Sequence, residues 1–185
     1  MFDTARFIAE CQAARAETDN HTAMREIIAR EVSDHAAVMK GLGEPTKAGV
    51  FTLYRSDELT ILNLVWGPQM TLMPHNHNMW AVIGMYSGRE DNIFWRKVKG
   101  APDGVIEAAG AKALSTGEAA PLGRDVIHSV TNPLRKLTGA LHVYGGDFFG
   151  PGRSEWDPED LTERDYNTER NIQAFEDSNR LMGVA

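Results

Sequence analysis

The chain has 185 residues, a formal net charge of −7 at pH 7, 42% hydrophobic residues and 24% charged residues. This composition is typical of one globular domain with its own core, and the negative charge disfavours nucleic acid or an anionic membrane surface as a partner. No apolar run approaches the roughly 20 residues that a membrane-spanning helix needs, and the N-terminus lacks the pattern of a signal peptide. The single cysteine, Cys11, excludes an internal disulfide and a cysteine-rich zinc site. We therefore predict a cytoplasmic protein.

The first 48 residues are predicted to be helical. Apolar residues recur near the 3.6-residue period of a helix, which predicts one helix over residues 4–15 and a second over residues 22–42. His21 and His35 lie in this region, well before the strands that follow. We therefore predict that they are surface or half-buried helical histidines rather than metal ligands.

From residue 49 the pattern changes to short strands separated by turn residues. Many short strands with no helical segments between them indicate an antiparallel barrel or a jelly roll. The predicted strands are residues 50–54, 59–66, 71–74, 79–86, 92–98, 105–114, 126–131 and 137–144.

A polar segment follows the last predicted strand. Within it, one helix is predicted between residues 165 and 181, with Ile172 and Phe175 on its docking face and Leu181 as a third candidate. The acidic stretch 155–165 and the Glu90–Asp91 pair are predicted to be solvated. The organisation predicted for this single domain is an N-terminal helical segment (1–48), a barrel (49–150) and a polar C-terminal extension (151–185).

Two histidines stand two residues apart at the start of an apolar, strand-like run. In an extended strand His75 and His77 point to the same face, with Cα atoms roughly 6–7 Å apart. Both imidazoles can therefore reach one cation at about 2 Å. Two ligands hold a metal poorly, and His128 is the best candidate for the third.

The surroundings of these histidines resemble the two paired motifs of the cupin superfamily. In the first motif, His-x-His is followed by a glutamate and then a glycine. Here His75 and His77 are followed by Ala81 at the glutamate position and by Gly88, while Gly67 precedes them by a longer spacer than the pattern has. The second motif is matched in order, with a shorter first spacer and a longer second one, by Gly117, Pro121, Gly123, His128 and Asn132.

The missing glutamate makes the chain similar to the cysteine dioxygenase-type branch of that superfamily, the thiol dioxygenases, which have three histidines and no carboxylate ligand. The segment 62–68 and Trp80 resemble bacterial members, and residues 140–144 resemble their Ser-x-His-x-Tyr strand. Ala140 stands where that strand has its serine, so the first hydroxyl of the relay is absent. The resemblance covers roughly residues 50–149.

This resemblance implies an all-β double-stranded β-helix, a cupin or jelly-roll barrel, with N-terminal helices and a C-terminal helical tail. It implies Fe(II), with Ni, Zn and Mn as alternatives, as the metal. The partners that it implies are a small thiol and O2, and it also suggests a homodimer. The implied site residues are the ligands His75, His77 and His128, the catalytic residues His142 and Tyr144, and the substrate-binding residues Arg55 and Trp80.

The function that follows is a non-haem Fe(II)-dependent dioxygenase that oxidises a cysteine-like or 3-mercaptopropionate-like thiol to its sulfinate. Two alternatives stay open at this point, because cupins serve many functions. One is a metal-dependent cupin of another reaction class, such as an isomerase or hydrolase. The other is a non-catalytic barrel that binds a metal or a small molecule.

Overall fold

The computed structural model describes residues 1–102 and 104–184. No helix in this part of the chain is long and apolar enough to cross a membrane. The helices are α1 (Thr4–Glu17), α2 (Thr22–Ser33), α3 (His35–Leu42) and α4 (Thr168–Met182). The strands are β1 (Gly49–Arg55), β2 (Thr60–Trp66), β3 (Thr71–Asn76), β4 (Ala81–Ser87), β5 (Arg89–Lys97), β6 (Ile106–Ser115), β7 (Ala119–Leu122), β8 (Ile127–Thr131), β9 (Thr138–Tyr144), β10 (Ser154–Trp156) and β11 (Glu163–Asp165).

The strands form two antiparallel sheets, ordered β1-β2-β9-β4-β7 and β11-β10-β3-β8-β5-β6. If β2 to β9 are counted as strands one to eight, the first sheet contains 1-8-3-6 and the second contains 2-7-4-5. This distribution of the strands between two sheets is that of a jelly roll, the double-stranded β-helix. The predicted all-β fold class, with helices at both ends, is confirmed.

The five-stranded sheet separates two apolar cores. Along β4, Ala81, Ile83 and Met85 face the six-stranded sheet, whereas Val82 and Tyr86 face the N-terminal helices. This is the two-residue alternation of a strand that is covered on both faces. Gly84 lies on the helix side, where an added Cβ would come 2.2 Å from a methyl group of Ile28 in α2. Glycine is required there because α2 packs directly on the sheet.

Two features of the helices differ from the sequence prediction. The helix predicted over residues 22–42 is two helices, because Asp34 leaves the helical region (φ −107°, ψ 63°) and its carboxylate accepts the amide of Ala37, capping α3. In α4, Phe175 packs on Trp66 with ring centroids 5.3 Å apart, but Ile172 is 42% exposed.

The C-terminal extension joins the barrel instead of forming a solvated tail. Strand β10 pairs with β3, with Glu155 opposite His75. Glu155 is fully buried, and its carboxylate accepts hydrogen bonds from Asn171 and Arg164 and pairs with Arg170. The prediction that this acidic stretch is solvated is wrong at Glu155, because neighbouring cations and amides compensate the buried charge.

Candidate metal centre

A one-residue bulge in β3 turns the first histidine into the barrel. Leu72 pairs with Val130 and His75 pairs with His128, so three residues of β3 advance against two of β8. In a regular strand Leu72 and His75 would point to opposite faces. With the extra residue, both line the cavity between the sheets.

The structure brings together the three histidines that the sequence predicts as ligands. One ring nitrogen from each of His75, His77 and His128 lies within 4.8 Å of the others. Nε2 of His77 and Nε2 of His128 are 3.4 Å apart. The three side chains are at most 5% exposed. Among residues 1–102 and 104–184, no second group of three such side chains converges in this way.

Hydrogen bonds set the tautomers of two of these rings. Nδ1 of His75 lies 2.9 Å from the carbonyl oxygen of Met73, which can only accept, so Nδ1 carries the hydrogen. Nδ1 of His128 lies 2.6 Å from Oδ1 of Asn92. In a neutral imidazole the Nε2 of each ring is then unprotonated and presents a lone pair to a cation.

Burial keeps these imidazoles neutral. It lowers the pKa of His75 to about 4 and holds the pKa values of His77 and His128 well below their ordinary value, with the neighbouring imidazoles as a further cause. At neutral pH the site therefore offers neutral nitrogen donors. Three such donors fit Fe(II), Zn(II) or Ni(II), which accept imidazole ligands and leave coordination positions open.

A buried carboxylate that the sequence prediction placed in solvent lies behind this cluster. Glu90 is fully buried, so the prediction of a solvated Glu90–Asp91 pair is wrong for Glu90. Its carboxylate accepts from Nε1 of Trp66 at 2.8 Å and from Nδ2 of Asn92 at 3.0 Å, and it lies 3.3 Å from Nε2 of His142. The predicted strand begins at residue 92; extended back to 89, its two-residue alternation would have placed Glu90 on the inner face beside Asn92.

The predicted catalytic pair lies on the facing strand. The hydroxyl of Tyr144 lies 3.1 Å from Nδ1 of His142, and the Tyr144 ring contacts His77 with centroids 5.0 Å apart. Burial, followed by the negative charge of Glu90, raises the pKa of Tyr144 well above its ordinary value. The phenol therefore keeps its proton at neutral pH and can serve as a hydrogen-bond donor.

These side chains enclose a small cavity of about 30 Å³. That volume accommodates roughly two water-sized groups. The C-terminal extension and the loop before it form one wall, so the cavity is closed partly by residues outside the barrel strands. The residues of this wall are Phe148, Phe149, Tyr166, Thr168, Asn171, Ile172 and Phe175.

An unpaired cation lies behind the wall. The guanidinium of Arg153 stacks 3.9 Å from the ring centroid of Tyr166 and 4.4 Å from that of Phe148. The side chain is 5% exposed, and its three nitrogens form no hydrogen bond of good geometry to a described residue, although the guanidinium is close enough to the Tyr166 hydroxyl to act against the rise that burial causes in its pKa. After burial, its positive charge is among the causes that lower the pKa values of His75 and His77, so its field reaches the cluster.

The structure does not bring the two predicted substrate-binding residues to this cavity. Arg55 forms a bidentate pair with Asp147, at 2.8 Å for both contacts, and its side chain is 50% exposed. Trp80 packs in the core on the helix side of the five-stranded sheet, over Gly145. The alternation of β4 explains this placement, because Trp80 precedes Ala81, which faces the inner core.

No protein-family model matches the chain. Similar solved structures include a Klebsiella pneumoniae protein described as having a double-stranded β-helix domain, with 12% identity and a TM-score of 0.44 over 62% of this chain and 90% of that one. A cupin-family protein from Methanocaldococcus jannaschii has 11% identity and a TM-score of 0.45, over 57% and 85%. A cupin domain from Bordetella pertussis has 14% identity and a TM-score of 0.39, over 54% and 96%. Likeness this weak supports no conclusion about activity, and the fold assignment rests on the strand order.

If His75, His77 and His128 are the metal ligands, removal of one imidazole should weaken metal binding. His77→Ala should abolish most metal binding while leaving the barrel folded, because two imidazoles hold a metal poorly. Metal content after reconstitution and dialysis, measured by elemental analysis, and circular dichroism check this. His35→Ala, at an exposed helical position, is the control and should keep the wild-type metal content. Full occupancy in His77→Ala would refute the ligand assignment.

The depressed pKa of His75 predicts how the metal-free protein responds to acid. Between the ordinary value of 6.5 and about 4, the unfolded chain binds a proton at His75 that the folded chain does not. Stability is therefore lost as the pH falls through this window, by about 2 kcal/mol between pH 7 and pH 5 from His75 alone.

Urea denaturation at pH 7 and pH 5 measures this loss. In His75→Asn the difference between the two pH values should shrink by about 2 kcal/mol, because asparagine does not titrate. His35→Asn should reproduce the wild-type difference. Equal pH dependence in the wild type and His75→Asn would contradict a neutral, buried His75.

Proposed function

We propose that this protein is a non-haem Fe(II)-dependent thiol dioxygenase that oxidises a small, carboxylate-bearing thiol, such as cysteine or 3-mercaptopropionate, to its sulfinate. The overall change is R–SH + O2 → R–SO2H, in which both oxygen atoms enter the product. Fe(II) bound at the three imidazoles would provide open coordination positions for the thiolate and for O2. One observation carries the proposal: three neutral imidazoles, with no carboxylate among them, converge in a small buried cavity.

The charge of the site supports an anionic substrate. Three neutral ligands leave the double positive charge of the metal uncompensated in its first coordination sphere, which favours a bound thiolate over a neutral thiol. Aromatic and aliphatic side chains form most of the lining of the cavity. Such a lining strengthens this attraction, because the effective dielectric constant is lower inside the protein than in water.

His142 and Tyr144 support the chemistry from the facing sheet. Tyr144 lines the cavity beside His77 and keeps its proton, which its hydroxyl donates to Nδ1 of His142, so the phenol oxygen is left as a hydrogen-bond acceptor next to the ligand cluster. His142 holds that hydroxyl from behind. We assign Tyr144 the orientation of substrate or oxygen atoms, and His142 the orientation of Tyr144.

Arg153 supports a substrate that carries a carboxylate. A buried guanidinium without hydrogen bonds is costly, and a carboxylate pairs with it in a bidentate, charge-assisted geometry. Arg153 is not part of the cavity lining, but its stacking partners Phe148 and Tyr166 are. The carboxylate of a thiol bound at the histidines would therefore have to pass these two rings to reach Arg153. The cavity has to widen at this wall to admit such a molecule, and its small size favours the smallest thiols. Arg153 is better placed for this task than Arg55, which Asp147 already pairs.

The central test is O2 consumption by protein reconstituted anaerobically with Fe(II). Cysteine, 3-mercaptopropionate, cysteamine and mercaptosuccinate are offered in turn, and O2 uptake and sulfinate formation are measured. We expect uptake with a carboxylate-bearing thiol, matched one to one by sulfinate. Absence of uptake from protein that binds iron stoichiometrically would refute the dioxygenase. It would favour a metal-dependent isomerase or hydrolase, or a non-catalytic binding barrel.

Substitution of Arg153 tests the substrate class. In Arg153→Gln the KM for 3-mercaptopropionate should rise about 10- to 100-fold, because a hydrogen bond to a charged group is worth about 1.5–3 kcal/mol. The KM for cysteamine, which has an amine in place of the carboxylate, should change little. Arg96→Gln, which removes an exposed arginine that pairs with Glu107 and does not line the cavity, is the matched surface control and should leave both values unchanged. An equal rise for both thiols would mean that Arg153 only supports Phe148 and Tyr166.

A further inference from the structure

One buried carboxylate connects a metal-ligand strand to the facing strand. Glu90 is fully buried on β5, and three N–H groups converge on it. Oε1 accepts from the amide of Asn92, and Oε2 accepts from the indole of Trp66 and faces Nε2 of His142. A carboxylate can only accept, so each of these contacts fixes the orientation of its donor.

We propose that Glu90 is the positioning residue of this centre. Through Asn92 it selects the tautomer in which His128 can bind a metal, and through His142 it sets the direction of the hydrogen bond to Tyr144. The inference depends on the three-histidine metal site and not on the oxidation of a thiol.

One chain of hydrogen bonds runs from Glu90 through Asn92 to the ligand His128. Because Nδ2 of Asn92 donates to Glu90, Oδ1 of Asn92 has to face His128, where it lies 2.6 Å from Nδ1. That oxygen requires a hydrogen on Nδ1, and in the neutral ring Nε2 then has a free lone pair. Reversal of the Asn92 amide would present N–H to Nδ1, shift the hydrogen to Nε2 and remove the ligand atom.

A second chain of hydrogen bonds runs from Glu90 through His142 to Tyr144 in the cavity wall. Nε2 of His142 faces the carboxylate at 3.3 Å, so it carries a hydrogen. In the neutral ring Nδ1 has none and accepts from the hydroxyl of Tyr144 at 3.1 Å. The same carboxylate therefore determines which atom of the His142–Tyr144 pair donates.

Glutamine has the shape of Glu90 but cannot make the same contacts. With its NH2 group toward Asn92, two donors face each other, and the Asn92 amide has to reverse. With its NH2 group toward Trp66 and His142, the indole N–H loses its acceptor and His142 has to take its other tautomer, so the first arrangement is favoured. Glu90→Gln therefore disturbs His128 in particular. A second substitution, Asn92→Asp, restores the match, because an aspartate accepts from both Gln NH2 and His128 Nδ1–H.

The experiment is a Co(II) titration of the full chain, followed by the visible absorption of the bound ion. In Glu90→Gln we expect the Kd for Co(II) to rise roughly 10- to 100-fold, the usual effect of losing a group that orients a metal ligand. The absorption bands should shift, because one imidazole is lost or reoriented. In Glu90→Gln/Asn92→Asp the Kd should return to within about threefold of the wild type. With the single variant Asn92→Asp measured as well, the coupling in the double-mutant cycle isolates the contact between residues 90 and 92.

The control separates positioning from folding. Glu31→Gln also removes a buried carboxylate, one that pairs with Arg6 and Arg30 on the helix side, and should leave the Co(II) Kd and spectrum unchanged. Urea denaturation of each metal-free variant gives its free energy of unfolding. A Glu90→Gln protein that loses stability but binds Co(II) with wild-type affinity and spectrum would overturn the proposal. So would a double variant that is as stable as the wild type but does not recover affinity. Neither result depends on O2 uptake, so failure here is distinct from failure of the dioxygenase proposal.

Discussion

The register of β3 against β8 is the constraint on which the metal centre depends. Side chains alternate across a strand, so a shift of one residue exchanges the inner and outer faces. The bulge between Leu72 and His75 shifts the register by one residue. His75 therefore lies opposite His128, and both rings point into the barrel. The bulge also leaves the carbonyl of Met73 free of the regular ladder at the point where it receives Nδ1 of His75. One extra residue therefore supplies both the direction and the tautomer of a ligand.

What the sequence predicts well is local in the chain. The pair His75 and His77 follows from a two-residue spacing, and the strand pattern from short apolar runs, so the fold class and the ligand cluster could be predicted. Arg153 could not, because it is a charged residue in a polar stretch, and burial of charge is decided by partners distant in sequence. For Glu90 the strand alternation, extended back to residue 89, gives the position on the inner face but not the partners. The indole N–H that donates to Glu90 belongs to Trp66, which is 24 residues away in the sequence. Short strands such as β7, β10 and β11 also escape prediction, because three or four residues show too little periodicity.

Two buried charges of opposite sign flank the neutral imidazoles, and they differ in how they are compensated. Glu90 is saturated with hydrogen bonds, so it can hold its neighbours in fixed orientations. Arg153 stacks on the faces of Phe148 and Tyr166 without a hydrogen bond of good geometry, so its donors can turn to an incoming anion. A charged group whose hydrogen bonds are made within the protein is suited to a structural role. A charged group with free donors is suited to binding a ligand. This difference underlies our assignment of Glu90 to positioning and Arg153 to substrate recognition.

The wall of the cavity and one of its ligands are coupled through the backbone. β10 pairs with β3 at Glu155 and His75, so the C-terminal extension is attached to the strand that carries a ligand. Buried ion pairs around Glu155 hold that attachment, whereas the cavity wall itself is packed from aromatic and aliphatic side chains. Aromatic packing can rearrange without breaking those ion pairs. Widening of the cavity is therefore expected at Phe148 and Phe149, while α4, which supplies Arg170 and Asn171 to Glu155, and the ligand His75 stay in place.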